Sequence, residues 1–283
     1  MKILATGATG RFASLVVSAL VDHGLEVRAV IHDPDKSHVP VSRGATETIT
    51  ADLSDPASLP DTLDGIDGAF LITPAFAPDA TQMGLNLINA AQHAGVRKLV
   101  YNGVYHPSLH LDNHTSTRPI ESALYTSELD FTVLQPAIYM QGIDPMFERA
   151  IQTGRLTMPW SKHSMMTCID YRDVADAAAV SFLDERLSYG TFELAASGMT
   201  NGVRLAALIS AAIAREVTAA DPPPRFSRPP EQPTGLTAMF DEYDQHGFHG
   251  GNPLILRTIL GREPRTVDAY ITELAKSSDR GGS

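Results

Sequence analysis

The stretch Thr6-Gly7-Ala8-Thr9-Gly10-Arg11 decides the fold of this 283-residue chain. It follows an apolar run at residues 3–6 and precedes residues 15–20, where apolar side chains recur at helical spacing. Glycine at 7 permits a tight turn, and glycine at 10 lets the backbone approach a pyrophosphate held at the positive end of a helix. A bare glycine turn without a ligand is the alternative. The order strand, glycine loop, helix favours a dinucleotide-binding unit of the Rossmann type.

The same alternation of strand and helix continues outward from this loop. Short apolar or β-branched runs occur at residues 3–6, 27–31, 47–50, 69–73, 99–101 and 131–134. Runs that are apolar throughout are typical of parallel strands covered by helices on both faces. We therefore predict an α/β fold in which residues 1–136 form a doubly wound parallel Rossmann sheet that binds NAD(P).

The alternation weakens after Pro136. Patterns predict helices at residues 145–153, 173–183, 203–215, 236–245, 254–260 and 267–274, and a strand at residues 191–194. Prolines crowd residues 222–233, which predicts an extended connector because proline lacks an amide donor and fixes φ. We expect residues 137–283 to form a smaller C-terminal α/β lobe packed against the first domain, contacting a substrate or a partner.

Composition narrows the classes of function. The formal net charge is −11 and no Lys/Arg cluster occurs, which disfavours direct binding of nucleic acid. The single cysteine, Cys168, cannot form an internal disulfide, and the amino-terminal sequence does not resemble a secretion signal. No apolar run approaches the roughly 20 residues that a membrane helix needs. These features predict a cytoplasmic protein without a membrane or nucleic-acid partner.

Further cofactor contacts are expected at the carboxyl ends of the strands. His32, followed by Asp33, stands where an acidic residue would bind the ribose hydroxyls and a basic one would accept a 2′-phosphate. Arg11 and Lys36 add positive charge, so the pattern favours NADP(H) over NAD(H), although Lys36 is nearly as consistent with a solvated surface charge. The predicted cofactor-binding residues are Gly7, Thr9, Gly10, Arg11, Phe12, His32, Lys36, Asp52, Leu53, Thr73, Pro74, Asn102 and Pro136.

Several segments together resemble the NmrA-like branch of the atypical short-chain dehydrogenase/reductases. They are the loop at residues 6–11, Leu134-Gln135-Pro136-Ala137-Ile138-Tyr139-Met140-Gln141, Asp173-Val174-Ala175, Gly250-Gly251-Asn252 and Leu260-Gly261-Arg262-Glu263-Pro264. The resemblance spans nearly the whole chain. It implies a dinucleotide-dependent reductase of quinones, dyes or plant phenolics, or a non-catalytic sensor of the redox state of the cofactor.

The chain departs from the wider superfamily at the Tyr-x-x-x-Lys pair after the fifth strand. Asn113 stands at the tyrosine place and Thr117 at the lysine place, and neither supplies an acid near neutral pH. His114 and Tyr105 are the candidate catalytic proton donors. Tyr139 is expected in the substrate pocket, where its neutral phenol could also donate a proton. Each has a plainer interpretation, which for the histidine is a backbone hydrogen bond at a helix start and for the tyrosines a ring that only lines the pocket.

A metal site is not predicted. His106, His110 and His114 recur every fourth residue, but Pro107 would break the helix needed to align them.

Two functions therefore stay open. An oxidoreductase would transfer a hydride to a small carbonyl, quinone or conjugated substrate bound between the Rossmann domain and the smaller lobe. A regulatory or redox-sensing protein would bind the dinucleotide and act on a protein partner, as the missing Tyr and Lys would allow. An isomerase, cyclase or lyase is a third possibility that no residue specifically favours.

Overall fold

The computed structural model describes residues 1–223 and 234–281. The strands are β1 (Lys2–Ala5), β2 (Glu26–Ile31), β3 (Glu47–Thr50), β4 (Gly68–Leu71), β5 (Lys98–Asn102), β6 (Asp130–Pro136), β7 (Ile138–Tyr139), β8 (Arg155–Thr157), β9 (Cys168–Ile169), β10 (Gly190–Leu194) and β11 (Thr218–Ala220). The α-helices are α1 (Ser14–Asp22), α2 (His38–Ser42), α3 (Pro60–Leu63), α4 (Ala80–His93), α5 (Asp112–Thr115), α6 (Arg118–Tyr125), α7 (Asp144–Thr153), α8 (Tyr171–Leu183), α9 (Gly202–Ile213), α10 (Thr234–His246), α11 (Leu254–Leu260) and α12 (Val267–Gly281). Short 3₁₀ helices lie at Pro34–Lys36, Pro56–Ser58, Met140–Ile143 and Glu185–Leu187.

The first structural unit contains Met1–Pro136 and Tyr171–Leu194. Its seven-stranded sheet has the order β10-β6-β5-β4-β1-β2-β3, and every neighbouring pair is parallel. The predicted doubly wound Rossmann sheet is confirmed. Because β1 lies between β2 and β4, the chain leaves it in opposite directions along the sheet, which makes its carboxyl end the switch point where such folds bind ligands.

Helices cover both faces of this sheet. All residues of β4 and β5 are buried, as expected for central strands. Leu4, Tyr101 and Leu87 of α4 belong to one buried cluster. On the other face, an added Cβ at Gly68 would meet Phe182 of α8 at 2.9 Å, so that helix packs directly on the strands.

The segment Tyr171–Leu194 corrects the predicted domain boundary. The sequence prediction placed it in the smaller lobe, but α8 packs against α1 and β10 extends the sheet beside β6. A parallel strand can join a sheet only after a crossover, so sequence order alone did not show that this strand returns to the first unit.

The second unit contains Ala137–Asp170 and the described residues from Ala195 onward. It holds two small parallel strand pairs, β7 with β9 and β8 with β11, together with α7 and α9 to α12. Its helices match the predicted helical segments. Residues 224–233 of the predicted connector lie outside the described residues. Within the described ranges, no helix is both long enough and apolar enough to cross a membrane.

Candidate active site

The loop between β1 and α1 is an exposed glycine turn. Gly7 has φ +68°, and an added Cβ would lie 2.7 Å from Cγ2 of Ile72. Gly10 donates its amide to the Gly7 carbonyl at 2.8 Å, and a Cβ on Gly10 would lie 3.1 Å from that carbonyl oxygen. Both glycines are exposed. The backbone of this turn is therefore exposed and has no side chains at the two glycines, where a phosphate would approach it.

The charges around this turn fit a bound anion. Helix α1 begins at Ser14 and has no acidic residue in its first turn, so its positive end faces no competing carboxylate there. Arg11 is exposed, and its guanidinium carbon lies 5.5 Å from the centre of the Phe12 ring. Thr9 and Phe12 are partly exposed in the same turn. These residues fit the pyrophosphate of a dinucleotide, which would lie against the glycines at the start of α1.

Two hydrogen bonds of Thr6 connect this loop to the residue that follows β4. Its hydroxyl donates to the Ile72 carbonyl at 3.1 Å and accepts from the Ile72 amide at 2.9 Å. The next residues, Thr73 and Pro74, are partly buried and exposed respectively. The sequence prediction included Thr6 in the glycine loop but not among the cofactor-binding residues, because a hydrogen bond to a residue 66 positions away leaves no local signal.

The acidic side chains that follow β2 and β3 accept hydrogen bonds from residues of their own turns. Asp33 accepts the Asp35 amide at 3.0 Å and lies 3.8 Å from Nζ of Lys36. Asp52 accepts both the hydroxyl and the amide of Ser54, which holds the pKa of its carboxyl below the usual value. His32 and Lys36 are exposed at this edge.

Asn86 on α4 supports the turn that follows β3. Its Nδ2 donates to the Leu53 carbonyl at 2.9 Å. The turn is thereby held against the helix that follows β4.

Asn102 ends β5 with a buried side chain. Its Nδ2 donates to the Gly103 carbonyl at 3.2 Å, and Oδ1 accepts from the Tyr171 hydroxyl at 3.4 Å. The Tyr171 ring lies 6.2 Å from the ring of Phe12. Tyr171 therefore links the glycine loop to the end of β5, a role that its distance in sequence concealed.

The chain after β5 follows β6 instead of leaving the sheet. Gly103 donates its amide to the Leu134 carbonyl at 2.8 Å, and Tyr105 donates to the Pro136 carbonyl at 3.1 Å. This brings His106 to the carboxyl edge of the sheet, near the end of β10. There, Nδ1 of His106 lies 2.8 Å from Oε1 of Glu193, and its backbone amide donates to the same oxygen at 3.2 Å.

Comparison with known proteins gives the family. A model of the NmrA-like family matches residues 1–272. The chain belongs to the NmrA-like family. It is similar to the NAD(P)H azoreductase of Xenophilus azovorans, with 31% identity over 218 residues that cover 76% of this chain and 75% of the relative.

Solved structures share the fold of this NmrA-like chain. Triphenylmethane reductase of a Citrobacter species, complexed with NADP(H), has a TM-score of 0.84 at 19% identity, covering 97% of this chain and 100% of that one. NmrA, a negative transcriptional regulator in complex with NAD, has a TM-score of 0.76 at 19% identity, covering 99% and 97% of the two chains.

The surroundings of His114 in this NmrA-like protein do not suit its predicted role as a proton donor. Its side chain is entirely buried, and Nδ1 donates to the His106 carbonyl at 2.9 Å. Burial is the main cause that lowers the pKa of this imidazole below its usual value, so the ring is neutral at pH 7. A neutral ring without exposed surface is poorly suited to donate a proton to a substrate, and the contact holds the loop in place instead.

The other predicted donor, the residue at the lysine place and the predicted pocket residue lie in different environments. Tyr105 is buried, and burial followed by the charge of Glu193 raises the pKa of its phenol. Thr117 is buried and donates its hydroxyl to the His114 carbonyl at 2.9 Å. Tyr139 belongs to β7 of the second unit, where it is partly buried.

Among the described residues, no three His, Cys, Asp or Glu side chains lie close enough together to bind a metal ion.

Glu121 is a buried carboxylate behind the β5 loop. Gln135 donates its amide to both carboxylate oxygens at 2.9 and 3.1 Å, and the Tyr125 hydroxyl donates at 3.1 Å. Burial is the main cause that raises the pKa of this carboxyl.

Proposed function

We propose that this protein is an NAD(P)H-dependent oxidoreductase that reduces a small conjugated acceptor such as a quinone or a dye. The observation that carries the proposal is the exposed Gly7–Gly10 turn at the start of α1, with Arg11 beside it and no acidic residue in the first helical turn. The azo and triphenylmethane reductases among its relatives support a conjugated acceptor. When bound, the reduced nicotinamide supplies a hydride, so the chain must hold the acceptor in place and deliver a proton.

Basic residues after β1 and β2 support a preference for NADP(H) over NAD(H). Asp33 starts the following 3₁₀ helix by accepting the Asp35 amide, a use that competes with binding the ribose hydroxyls. His32 and Arg11 are exposed, and both are residue types that can bind a 2′-phosphate. Lys36, whose Nζ lies 3.8 Å from Asp33, contributes less because that charge is partly neutralised.

A regulatory dinucleotide-binding function is the second candidate. It is favoured by Thr117, whose hydroxyl holds a backbone carbonyl at the position where a reductase of the wider superfamily has its lysine. In that case the protein would bind the oxidised and reduced cofactor with different affinities and transmit the difference to a protein partner. The partner and the cytoplasmic location stay predictions.

Oxidation of NADPH by an acceptor panel separates the two candidates. The panel contains 1,4-benzoquinone, an azo dye, a cationic triphenylmethane dye and an aromatic aldehyde. We expect protein-dependent loss of NADPH absorbance with at least one conjugated acceptor, and none with a Gly10→Val control. If no acceptor is reduced, while calorimetry gives affinities for NADPH and NADP⁺ that differ about tenfold or more, the regulatory function is correct.

A further inference from the structure

We propose that His106, oriented by Glu193, is the proton donor of the reduction, in place of the absent Tyr-x-x-x-Lys pair. The inference rests on the proposed oxidoreductase function. It concerns two residues that are 87 positions apart in sequence and that the fold brings to 2.8 Å.

The sheet register places this pair at the ligand edge. Glu193 pairs with Gln135, one residue before the end of β6, on the side of β6 that faces away from β5. The loop after β5 crosses the end of β6, where the Tyr105 amide bonds to the Pro136 carbonyl. The pair is therefore close to the carboxyl ends of β5, β6 and β10, and this edge is where open α/β sheets bind their ligands.

The contact assigns the roles of the two ring nitrogens. An ionised carboxylate can only accept hydrogen bonds, so Nδ1 of His106 carries a proton that it donates to Glu193. Any proton delivered to a substrate must then come from Nε2 of the protonated ring. Imidazole rings are the most common general acids and bases in enzymes. The side chains of His106 and Glu193 are 35% and 43% exposed, which leaves the pair accessible to a substrate.

The backbone at His106 is held in an unusual conformation. Its φ is +54°, a left-handed value that few residues other than glycine adopt, although asparagine, aspartate and histidine adopt it more often than the rest. The loop is fixed by buried His114, which donates to the His106 carbonyl, and by Arg118, whose Nε and Nη2 donate to the Pro107 and Leu109 carbonyls at 2.6 Å each. Such conformations persist where surrounding contacts impose them, and they are frequent at functional sites.

The proton step balances for a quinone. The hydride, which would leave a C–H bond of the reduced nicotinamide, forms one new bond to the quinone. The displaced π electron pair moves to an oxygen, which takes the proton from Nε2 of His106 and leaves the imidazole neutral. The imidazole then regains a proton from water. A cationic triphenylmethane dye differs because its central carbon takes the hydride to give a neutral product, and no proton is consumed.

This difference between acceptors gives the decisive experiment. His106→Asn removes the ring and suits the left-handed backbone, because asparagine tolerates that region. We expect turnover of 1,4-benzoquinone to fall about 10²–10⁴-fold, the usual contribution of a positioned general acid, while turnover of a cationic triphenylmethane dye and the dissociation constant of NADPH change less than about threefold. His110→Asn, at an exposed histidine of the same loop, is the matched control and should keep both rates.

Each outcome separates the inference from the function. Equal losses with both acceptors would show that His106 is structural, and full quinone turnover in His106→Asn would show that another group donates the proton; either result overturns the inference and leaves the oxidoreductase function standing. A wild-type protein that reduces no acceptor overturns both.

A readout independent of turnover tests the pair itself. Nitrogen-15 NMR of the imidazole rings distinguishes the Nδ1–H from the Nε2–H tautomer. We expect His106 to carry its proton on Nδ1 in the wild type at high pH and to shift toward Nε2–H in Glu193→Ala. Unchanged ring signals in Glu193→Ala would mean that the carboxylate does not orient the ring, which also contradicts the inference.

Discussion

The loop after β1 and the loop after β5 lie at the same edge of the sheet, but different interactions hold them. The first is fixed mainly by its own residues, through the Gly10 amide on the Gly7 carbonyl and the Ser14 amide on the Gly10 carbonyl. The second is fixed largely by side chains of other elements, notably Arg118 and Glu193. A locally determined loop leaves a sequence motif, whereas a loop held by distant residues leaves none.

The largest expected effect is on the locally determined loop. Gly10→Val places a side chain where the pyrophosphate would approach and 3.1 Å from the Gly7 carbonyl, so we expect the dissociation constant of NADPH to rise by at least about 100-fold, or roughly 2.7 kcal/mol. Calorimetric titration measures it. Gly142→Val is the control, because an added Cβ there meets no atom within 4 Å. Unchanged affinity in a folded Gly10→Val protein would mean that the turn binds no cofactor.

The second prediction concerns a substitution that should destabilise the loop after β5 and leave the loop after β1 unchanged. Arg118→Gln removes two charge-assisted hydrogen bonds of 2.6 Å to backbone carbonyls, and we expect the free energy of unfolding to fall by about 2 kcal/mol. The NADPH dissociation constant should change less than twofold. Urea denaturation and calorimetry check the two quantities. A large loss of cofactor affinity would show that the two loops are not independent.

The third prediction concerns pH and the buried Glu121. Its pKa in the folded protein is raised above the ordinary 4.5, so the folded state binds the proton more tightly than the unfolded state. Stability is therefore lost as pH rises from about 4.5 through the raised value. Glu121→Gln lacks this loss, and its stability relative to the wild type should increase over that range in denaturation at several pH values. Glu128→Gln, at an exposed site, should follow the wild-type pH profile.

The smallest expected effect concerns cofactor preference. Arg11→Gln and His32→Gln should each reduce the affinity for NADPH by up to a few-fold while leaving NADH affinity nearly unchanged, because exposed charged contacts contribute about 0.2–1 kcal/mol. The preference should also shrink with added salt. Parallel titrations with both cofactors measure it, and equal losses for NADPH and NADH would indicate that these residues do not contact a 2′-phosphate.

The sequence by itself determined the parallel sheet, the glycine turn and the family, because apolar periodicity and glycine requirements are properties of neighbouring residues. Only the tertiary structure returned Tyr171–Leu194 to the first unit and set β10 beside β6. That pairing brings Glu193 to His106, whereas His114, the donor that sequence spacing suggested, became a buried support. Contacts between residues that are distant in the chain depend on crossover connections and packing, which no local pattern records.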